Sequence, residues 1–191
     1  MKGYVYIASN GTDPALRHNL NDPLFSRIPT LGACMPNVRR LVGLGDFIFL
    51  VSGKTTGARQ YVVGGLRVEE KIHALAAYGR FPENRLSRLP NGQLTGNIIV
   101  QEDGSRHPLD RHRPDTFESR IENYIVGSMG VALTTEREVE LSREQTLETL
   151  SSILKRPQRN RVIDIMGRWA KLDAGQVEEM LDWLQGIKAT T

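Results

Sequence analysis

The strongest constraint on the fold is a nearly continuous apolar run at residues 46–52 (DFIFLVS). A short apolar run of this kind, bounded by turn residues, is typical of a buried strand. The preceding residues 36–42 (PNVRRLV) begin with proline and are followed by Gly43, which are the start and stop signals of a short helix. The sequence therefore predicts a helix that leads into a central strand.

Two further strands are predicted beside this central strand. Residues 3–9 (GYVYIAS) alternate aromatic and aliphatic side chains, as a first strand does, and residues 59–68 (RQYVVGGLRV) are expected to be an antiparallel partner. Gly64 and Gly65 inside this partner indicate a bulge or a close approach of another backbone. Residues 12–32 show no clear period and are predicted to be a long loop above one end of a small mixed barrel.

The hydrophobic pattern of the sequence changes after residue 140, where amphipathic helical periodicity replaces the alternation typical of strands. Three helices are predicted there, at residues 142–154, 159–172 and 173–187. Ser142 with Gln145 is expected to form a capping box at the start of the first, and Asp173 with Gln176 a similar box at the start of the third. We therefore expect an α+β fold, with a mixed β-barrel and short helices in a domain at residues 1–135 and a helical appendage of about three helices at residues 141–191. Such helices can also mediate a homodimer.

The charged residues favour an anionic partner. The chain of 191 residues has 25 Lys+Arg and 22 Asp+Glu, and 19 of the basic residues are arginine. Arginine offers a flat, bidentate fork for phosphates and base edges, although the same bias also arises from genome composition. The single cysteine excludes an internal disulfide, and the apolar runs are too short to cross a bilayer. We expect a cytoplasmic protein without a membrane partner.

Adjacent arginines in the predicted short helix are the first candidates for ligand binding. Arg39 and Arg40 point about 100° apart around a helix axis, so both cannot face the core. One of them is expected to be available to a ligand, and the functional interpretation is that it binds a phosphate or carboxylate. The alternative is a salt bridge, for example to Asp46, that joins the helix to the strand.

Further binding candidates lie on the predicted strands and loops. Tyr4 and Tyr6 share one face of a strand, and with Tyr61 they are candidates for stacking against a base, the alternative being a place in the barrel core. Three more basic residues are candidate nucleotide or nucleic-acid contacts: Arg17, Lys54 and Arg111.

Three residues are weak candidates for a reactive group: Cys34, Asp46 and Asp110. Cys34 precedes a helix start, which lowers a thiol pKa, but a lone cysteine is more often a small buried apolar residue. The cluster at residues 107–113 (HPLDRHR) lacks the spacing of a helical metal site, so it is expected to be a solvated basic loop. No metal or other cofactor is predicted. The motifs of the phosphate loop, dinucleotide fold, serine hydrolases and zinc proteases are absent from the sequence.

Several of these segments together resemble a known family. Residues 32–40 (GACMPNVRR), 45–49 (GDFIF) and 51–54 (VSGK), with the flanking strands, are similar to the second type of nucleotide-modification-associated domain. That family is linked by genome context to systems that make or handle modified DNA bases. A more distant similarity is to PUA-like folds, including the EVE and ASCH domains, which hold a base in a pocket of the barrel. The resemblance covers roughly residues 3–130.

The resemblance and the residues together support three hypotheses. The first is a module that recognises a nucleotide or nucleic-acid base, with modified DNA in a base-modification or phage-conflict system as its target and residues 10–36 as the roof of its pocket. The second is an enzyme of base hypermodification or base removal that uses the same pocket. The third is a structural adaptor that acts through the helical tail.

Overall fold

The computed structural model describes residues 1–17 and 21–190. Helices and strands are both well represented in this part of the chain. The helices are α1 (Pro14–Arg17), α2 (Pro36–Leu41), α3 (Ala74–Arg80), α4 (Phe117–Ile121), α5 (Glu136–Ile153), α6 (Val162–Met166) and α7 (Ala174–Ala189). The strands are β1 (Gly3–Ile7), β2 (Thr30–Leu31), β3 (Phe47–Val51), β4 (Val62–Ile72), β5 (Ser87–Arg88), β6 (Leu94–Thr95), β7 (Tyr124–Ala132) and β8 (Trp169–Leu172).

Six of these strands form one sheet in the order β2-β7-β4-β3-β1-β8, and β5 and β6 pair separately. β1 and β3 are parallel, whereas β4 is antiparallel to β3 and β8 is antiparallel to β1. Within the described residues β2 and β8 are the outer strands, so the sheet is open. The predicted α+β class is confirmed, but closure into a barrel is not.

The predicted helix and strands around the central strand are confirmed. β1, α2, β3 and β4 lie within one to four residues of the predicted bounds, and β3 is fully buried. Proline at the first position of α2 and a bond from the Val42 N–H to the Val38 carbonyl define the ends of this helix.

The predicted irregularity at the paired glycines is confirmed too. The register between β3 and β4 shifts between Leu50 and Val51, opposite Gly64 and Val62. Gly64 has φ +156°, and a Cβ there would lie 2.1 Å from the Val131 carbonyl oxygen. Only glycine leaves room for this approach of two backbones.

The helix predicted at residues 159–172 is wrong. This segment forms the short helix α6 and then β8, which pairs with β1 from Leu172 opposite Gly3 to Trp169 opposite Tyr6. β8 alternates exposed and buried residues, and Ala170 and Leu172 are its buried pair. Pairing with an available strand edge outweighs the helical propensity of so short a segment.

Contacts between residues divide the chain into two compact units. The first unit comprises Met1–His18, Gly45–Arg67 and Met129–Thr191, and the second comprises Asn19–Leu44 and Val68–Ser128. This division differs from the predicted domains, because the C-terminal helices share the first unit with β1 and β3.

The first unit has a core between strands and helices. One face of β1, β3 and β8 packs against α5, α6 and α7, and the central side chains of this contact are Val5, Phe49, Leu150, Leu172, Met180 and Leu184. The second unit has its own core around α3, α4 and the first half of β7, with Ala77, Phe81, Ile98, Ile121 and Val126.

Candidate functional site

An open groove of about 710 Å³ lies in the first unit. Ile7, the last residue of β1, lines it, and so does Lys54, which follows β3 by three residues. Since β1 and β3 are parallel, the groove lies at their carboxyl ends, the usual place for a ligand in sheets with parallel strands.

Cationic side chains predominate among the charged residues that line this groove, which we call the basic groove. Among the described residues, its charged lining consists of one acid, Glu144, and four cations: Lys54, Arg59, Arg161 and Arg168. Arg161 forms an exposed ion pair with Asp164 at 2.6 Å. The side chains of the other three cations form no ion pair with another described residue. A concave surface with this excess of positive charge attracts anions.

Hydrogen bonds hold the loop that supplies much of this lining, residues 53–60. At its start Gly53 N–H donates to the Thr12 carbonyl at 2.7 Å, and Gly11 N–H donates to the Lys54 carbonyl at 2.9 Å. A Cβ at Gly53 would lie 1.8 Å from the Ser9 carbonyl oxygen, so this approach requires glycine. Further along the loop, Gln60 Nε2 donates to the Ser52 carbonyl at 2.8 Å.

A buried cluster anchors the end of the same loop. Arg143 donates to the carbonyl of Arg59, and its Nη2 lies 2.9 and 2.8 Å from the two carboxylate oxygens of the buried Asp13. The guanidinium also lies over the Tyr61 ring at 4.6 Å. Burial, followed by the nearby Asp13 charge, raises the pKa of Tyr61 to about 12. Tyr61 is 1% exposed, so it supports the loop and offers no open ring face to a base.

Tyr4 and Tyr6 are also buried, at 3% and 1% exposure. Their strand neighbours Val5 and Ile7 belong to the core shared with α5, α6 and α7, so the two tyrosines lie on the other face of β1. The Tyr4 ring packs at 5.8 Å from the ring of Trp169. Burial therefore leaves neither tyrosine open to a ligand in this structure. Both tyrosines are core residues, which is the alternative that the sequence left open.

Arg39, in the second unit, is fully buried. Its guanidinium donates to four carbonyl oxygens, those of Cys34 at 2.8 Å, Asn123 at 2.6 Å, Ala33 at 3.1 Å and Arg120 at 3.0 Å. These bonds join the start of α2 to the end of α4, and they occupy the fork that was expected to bind an anion.

The other predicted basic residues are distributed over both units. Arg40 and Arg111 are exposed in the second unit, and Lys54 is exposed in the first. Arg17 ends α1, and its side chain lies outside the described part of the structure. Among the predicted binding residues whose side chains the structure describes, Lys54 lines the basic groove and the others do not.

The environment of Cys34 is unfavourable for a nucleophile. Burial, then the negative charge of Asp22, raises the pKa of the thiol far above its usual range. The Asp22 carboxylate accepts hydrogen bonds from the backbone N–H groups of Gly32, Ala33 and Cys34. Because a thiolate is the reactive form, this cysteine is poorly reactive at neutral pH.

Both aspartates that were candidate reactive groups have structural partners. The Asp46 carboxylate accepts the Lys2 backbone N–H at 3.0 Å and lies 3.8 Å from its Nζ. Asp110 is buried and accepts from Arg106 Nε at 2.7 Å, with His112 Nδ1 at 2.6 Å. Burial alone would raise the Asp110 pKa, but the hydrogen bonds from Arg106 and His112 outweigh it and hold the pKa below its usual value.

Sequence reasoning missed most of the basic groove. Arg59, Arg161 and Arg168 were not singled out, because the last two were placed on a predicted helix remote from the strand ends. The available signal was the turn at residues 53–57, which follows the central strand directly and predicts where the carboxyl ends of neighbouring strands meet.

No protein-family model, curated protein or solved structure matches this chain. The similarity to the nucleotide-modification-associated domain therefore remains a prediction from the quoted segments. Within residues 1–17 and 21–190, no group of three or more potential metal ligands is close enough to hold an ion. None of the helices in this part of the chain combines the length and the apolar character that crossing a membrane requires.

Proposed function

We propose that this protein binds a nucleotide or nucleic acid through the basic groove. The observation that carries the proposal is the convergence of Lys54, Arg59, Arg161 and Arg168 on one concave surface, whose described lining contains a single acid. Three of these cations have no ion-pair partner among the described residues, so their charge is available to a ligand. Phosphate groups are the ligands for which Lys and Arg provide this combination of charge and donors.

The geometry of the loop supports the same proposal. Residues 53–60 supply two of the four cations, and their backbone is held at both ends by hydrogen bonds to Thr12 and Arg143. A preorganised site loses less conformational entropy when a ligand binds. The groove volume of about 710 Å³ falls within the range of small-ligand sites.

The family resemblance supplies the biological setting of the proposal. It implies modified DNA as the target, within a base-modification or phage-conflict system. The cytoplasmic location expected from the short apolar runs of the sequence belongs to the same proposal. The finer features expected from the sequence belong to the same proposal: a PUA-like arrangement of the sheet, and a homodimer formed through the C-terminal helices. Neither is needed for the basic groove to bind an anion.

The two alternative hypotheses gain no support from the site geometry. An enzyme that used Cys34, Asp46 or Asp110 would rely on a thiol of raised pKa or on carboxylates held by Lys2, Arg106 and His112. An adaptor would need exposed apolar faces on the C-terminal helices, and the main apolar side chains of α7 are buried in the first unit.

A salt titration tests the proposal. Fluorescence anisotropy with a labelled single-stranded oligonucleotide is expected to show binding whose logarithmic affinity falls linearly with the logarithm of salt concentration. The double variant K54A/R168A removes two cations from different segments of the groove. We expect it to bind about tenfold more weakly or worse at low salt and to reduce the salt slope by about one to two.

The matched control is the double variant K171A/R27A. Lys171 and Arg27 are exposed and form no ion pair with a described residue, and neither lines the groove. This control removes the same two residue types from the chain, so it is expected to retain nearly all of the affinity. Equal loss in both double variants would show that net charge alone governs binding, and absence of binding by the unmodified protein would refute the proposal outright.

A further inference from the structure

Unused carboxamide groups line the basic groove together with the cations. Asn10, Gln158 and Asn160 are all lining residues of the groove. Their side-chain amides form no hydrogen bond with another described residue. Gln60 also lines the groove, but its amide nitrogen already donates a hydrogen bond to the Ser52 carbonyl. The groove therefore presents three amides that each offer a donor and an acceptor at once.

A carboxamide matches the edge of a nucleobase. Asn and Gln form paired hydrogen bonds with bases, because a donor and an acceptor lie side by side on both groups. In a duplex the Watson–Crick edges are already paired, and only the groove edges are accessible. In a single strand or a free nucleotide the Watson–Crick edge is open, and proteins read such bases on that edge.

The shape and lining of the groove favour one unpaired nucleotide over a duplex. Its surface is concave, and about 710 Å³ is a volume suited to a small ligand. Its apolar lining is aliphatic, from Ile7, Ala58, Leu147, Val162 and Ile163, and none of the described lining residues is aromatic. A base would therefore lie against aliphatic side chains, and its identity would be read at its edge.

We propose that the groove recognises an unpaired base, whose edge hydrogen-bonds to Gln158, Asn160 and Asn10 while its phosphate is bound by Lys54, Arg59 and Arg168. This inference rests on the proposed function, since it specifies the ligand of the same groove. It assigns the base-reading role to carboxamides and the affinity for phosphate to the cations. The ligand is a nucleotide in single-stranded nucleic acid or a free nucleotide.

The two roles can be separated by comparing three probes of equal length at one salt concentration. These are a labelled single-stranded DNA of mixed sequence, the same strand with abasic sites throughout, and the corresponding duplex. The full chain is expected to bind the normal single strand about tenfold more tightly than the abasic strand. It is also expected to bind the single strand more tightly than the duplex.

The double variant Q158A/N160A tests the assigned residues. Both side chains are exposed, so the variant is expected to fold normally, with an unchanged urea midpoint. We expect its preference for the normal strand over the abasic strand to fall several-fold, because two of the three amides are lost while Asn10 and the aliphatic lining remain. Its salt slope is expected to stay that of the unmodified protein. The matched control N37A/Q185A changes one exposed Asn and one exposed Gln outside the groove and is expected to keep the preference.

The outcomes distinguish this inference from the proposed function. Equal affinity for normal and abasic strands, a preference for duplex, or an unchanged preference in Q158A/N160A would overturn the inference and leave phosphate binding intact. No salt-dependent binding of any probe would refute the proposed function itself. Competition with unlabelled 5′-mononucleotides then identifies the source of the ligand: displacement of the probe indicates a free nucleotide, and retention indicates the strand.

Discussion

At the scale of single residues, the second unit depends on polar side chains placed inside it. Arg39 donates to four backbone carbonyls, and Asp22 accepts from three consecutive backbone N–H groups beside it. Buried backbone groups need partners, and an irregular segment cannot supply them from a sheet or helix ladder. These two side chains therefore provide the backbone of residues 32–34 with the hydrogen-bond partners that a helix or sheet provides elsewhere.

Arg39→Ala is expected to destabilise the protein strongly. The change leaves several buried carbonyl oxygens without the donors that Arg39 provides, and hydrogen bonds from a charged group are among the stronger ones. We expect a loss of about 3 kcal/mol or more in the free energy of unfolding. Urea unfolding followed by circular dichroism measures this loss.

The neighbouring Arg40→Ala is the matched control. Arg40 lies in the same helix and is exposed, so its removal is expected to change the free energy of unfolding by no more than about 0.5 kcal/mol. If both variants lost the same stability, the four carbonyl bonds of Arg39 would not have the structural role assigned to them.

At the scale of elements, the sequence predicts those helices and strands that local residue patterns determine. The helix–strand order of α2 and β3 follows from proline, glycine and one apolar run, and the strand after it follows from alternation. β8 cannot be predicted from a local pattern, because its four residues become a strand only through pairing with β1. The same holds for the candidate site: Lys54 was predicted from its own position, but Arg168 reaches the basic groove only because β8 forms.

Helix ends also differ in whether the local sequence or a tertiary contact determines them. The capping box predicted at Asp173 and Gln176 is confirmed at the start of α7. A second box was predicted at Ser142, whereas α5 begins seven residues earlier with Thr135 as its N-cap and Glu138 completing the box. Ser142 lies inside α5, where its hydroxyl donates to the Val62 carbonyl at 3.1 Å. A tertiary contact thus explains a residue that resembles a cap in the sequence.

Glu138 makes this helix end dependent on pH. Burial would raise its pKa, but bonds from the N–H groups of Thr135 and Thr134, and from Lys188, outweigh burial and lower the pKa to about 2. A lowered folded-state pKa adds stability above the ordinary value near 4.5, and this stability is lost as the pH falls from there through about 2. Glu138→Gln is therefore expected to cost on the order of 2 kcal/mol at pH 7 and much less at pH 2.5, measured by urea unfolding.

Glu136→Gln is the control for this pH dependence. Glu136 lies in the same first turn of α5 but is exposed, so its interaction with the helix dipole contributes only about 0.5 kcal/mol. A Glu138→Gln variant whose deficit relative to the unmodified protein stayed constant between pH 7 and pH 2.5 would contradict the lowered pKa.

At the scale of the whole molecule, the C-terminal third is part of a folded core. Leu150, Leu172, Met180 and Leu184 are each 0% exposed, and they pack with side chains of β1 and β3 in the first unit. The central apolar side chains of the tail are therefore buried within that unit. An arm that binds partners would instead leave such a face open to solvent.

Deletion of residues 141–191 therefore tests the core against the adaptor hypothesis. It removes most of α5 and all of α6, β8 and α7, and it exposes the buried face of β1 and β3. We expect the shortened chain to lose the cooperative urea transition of the first unit and to aggregate. An adaptor tail would leave that transition intact and abolish only self-association, which size-exclusion chromatography detects.

Single substitutions on α7 separate loss of core packing from loss of a partner surface. Met180→Ala creates a cavity at a fully buried position and is expected to cost about 2–4 kcal/mol in the free energy of unfolding. Glu179→Ala changes an exposed position on the same helix and is expected to cost no more than about 0.5 kcal/mol. Because both variants keep α7, a large loss confined to Met180→Ala requires that this helix stabilise the first unit from within.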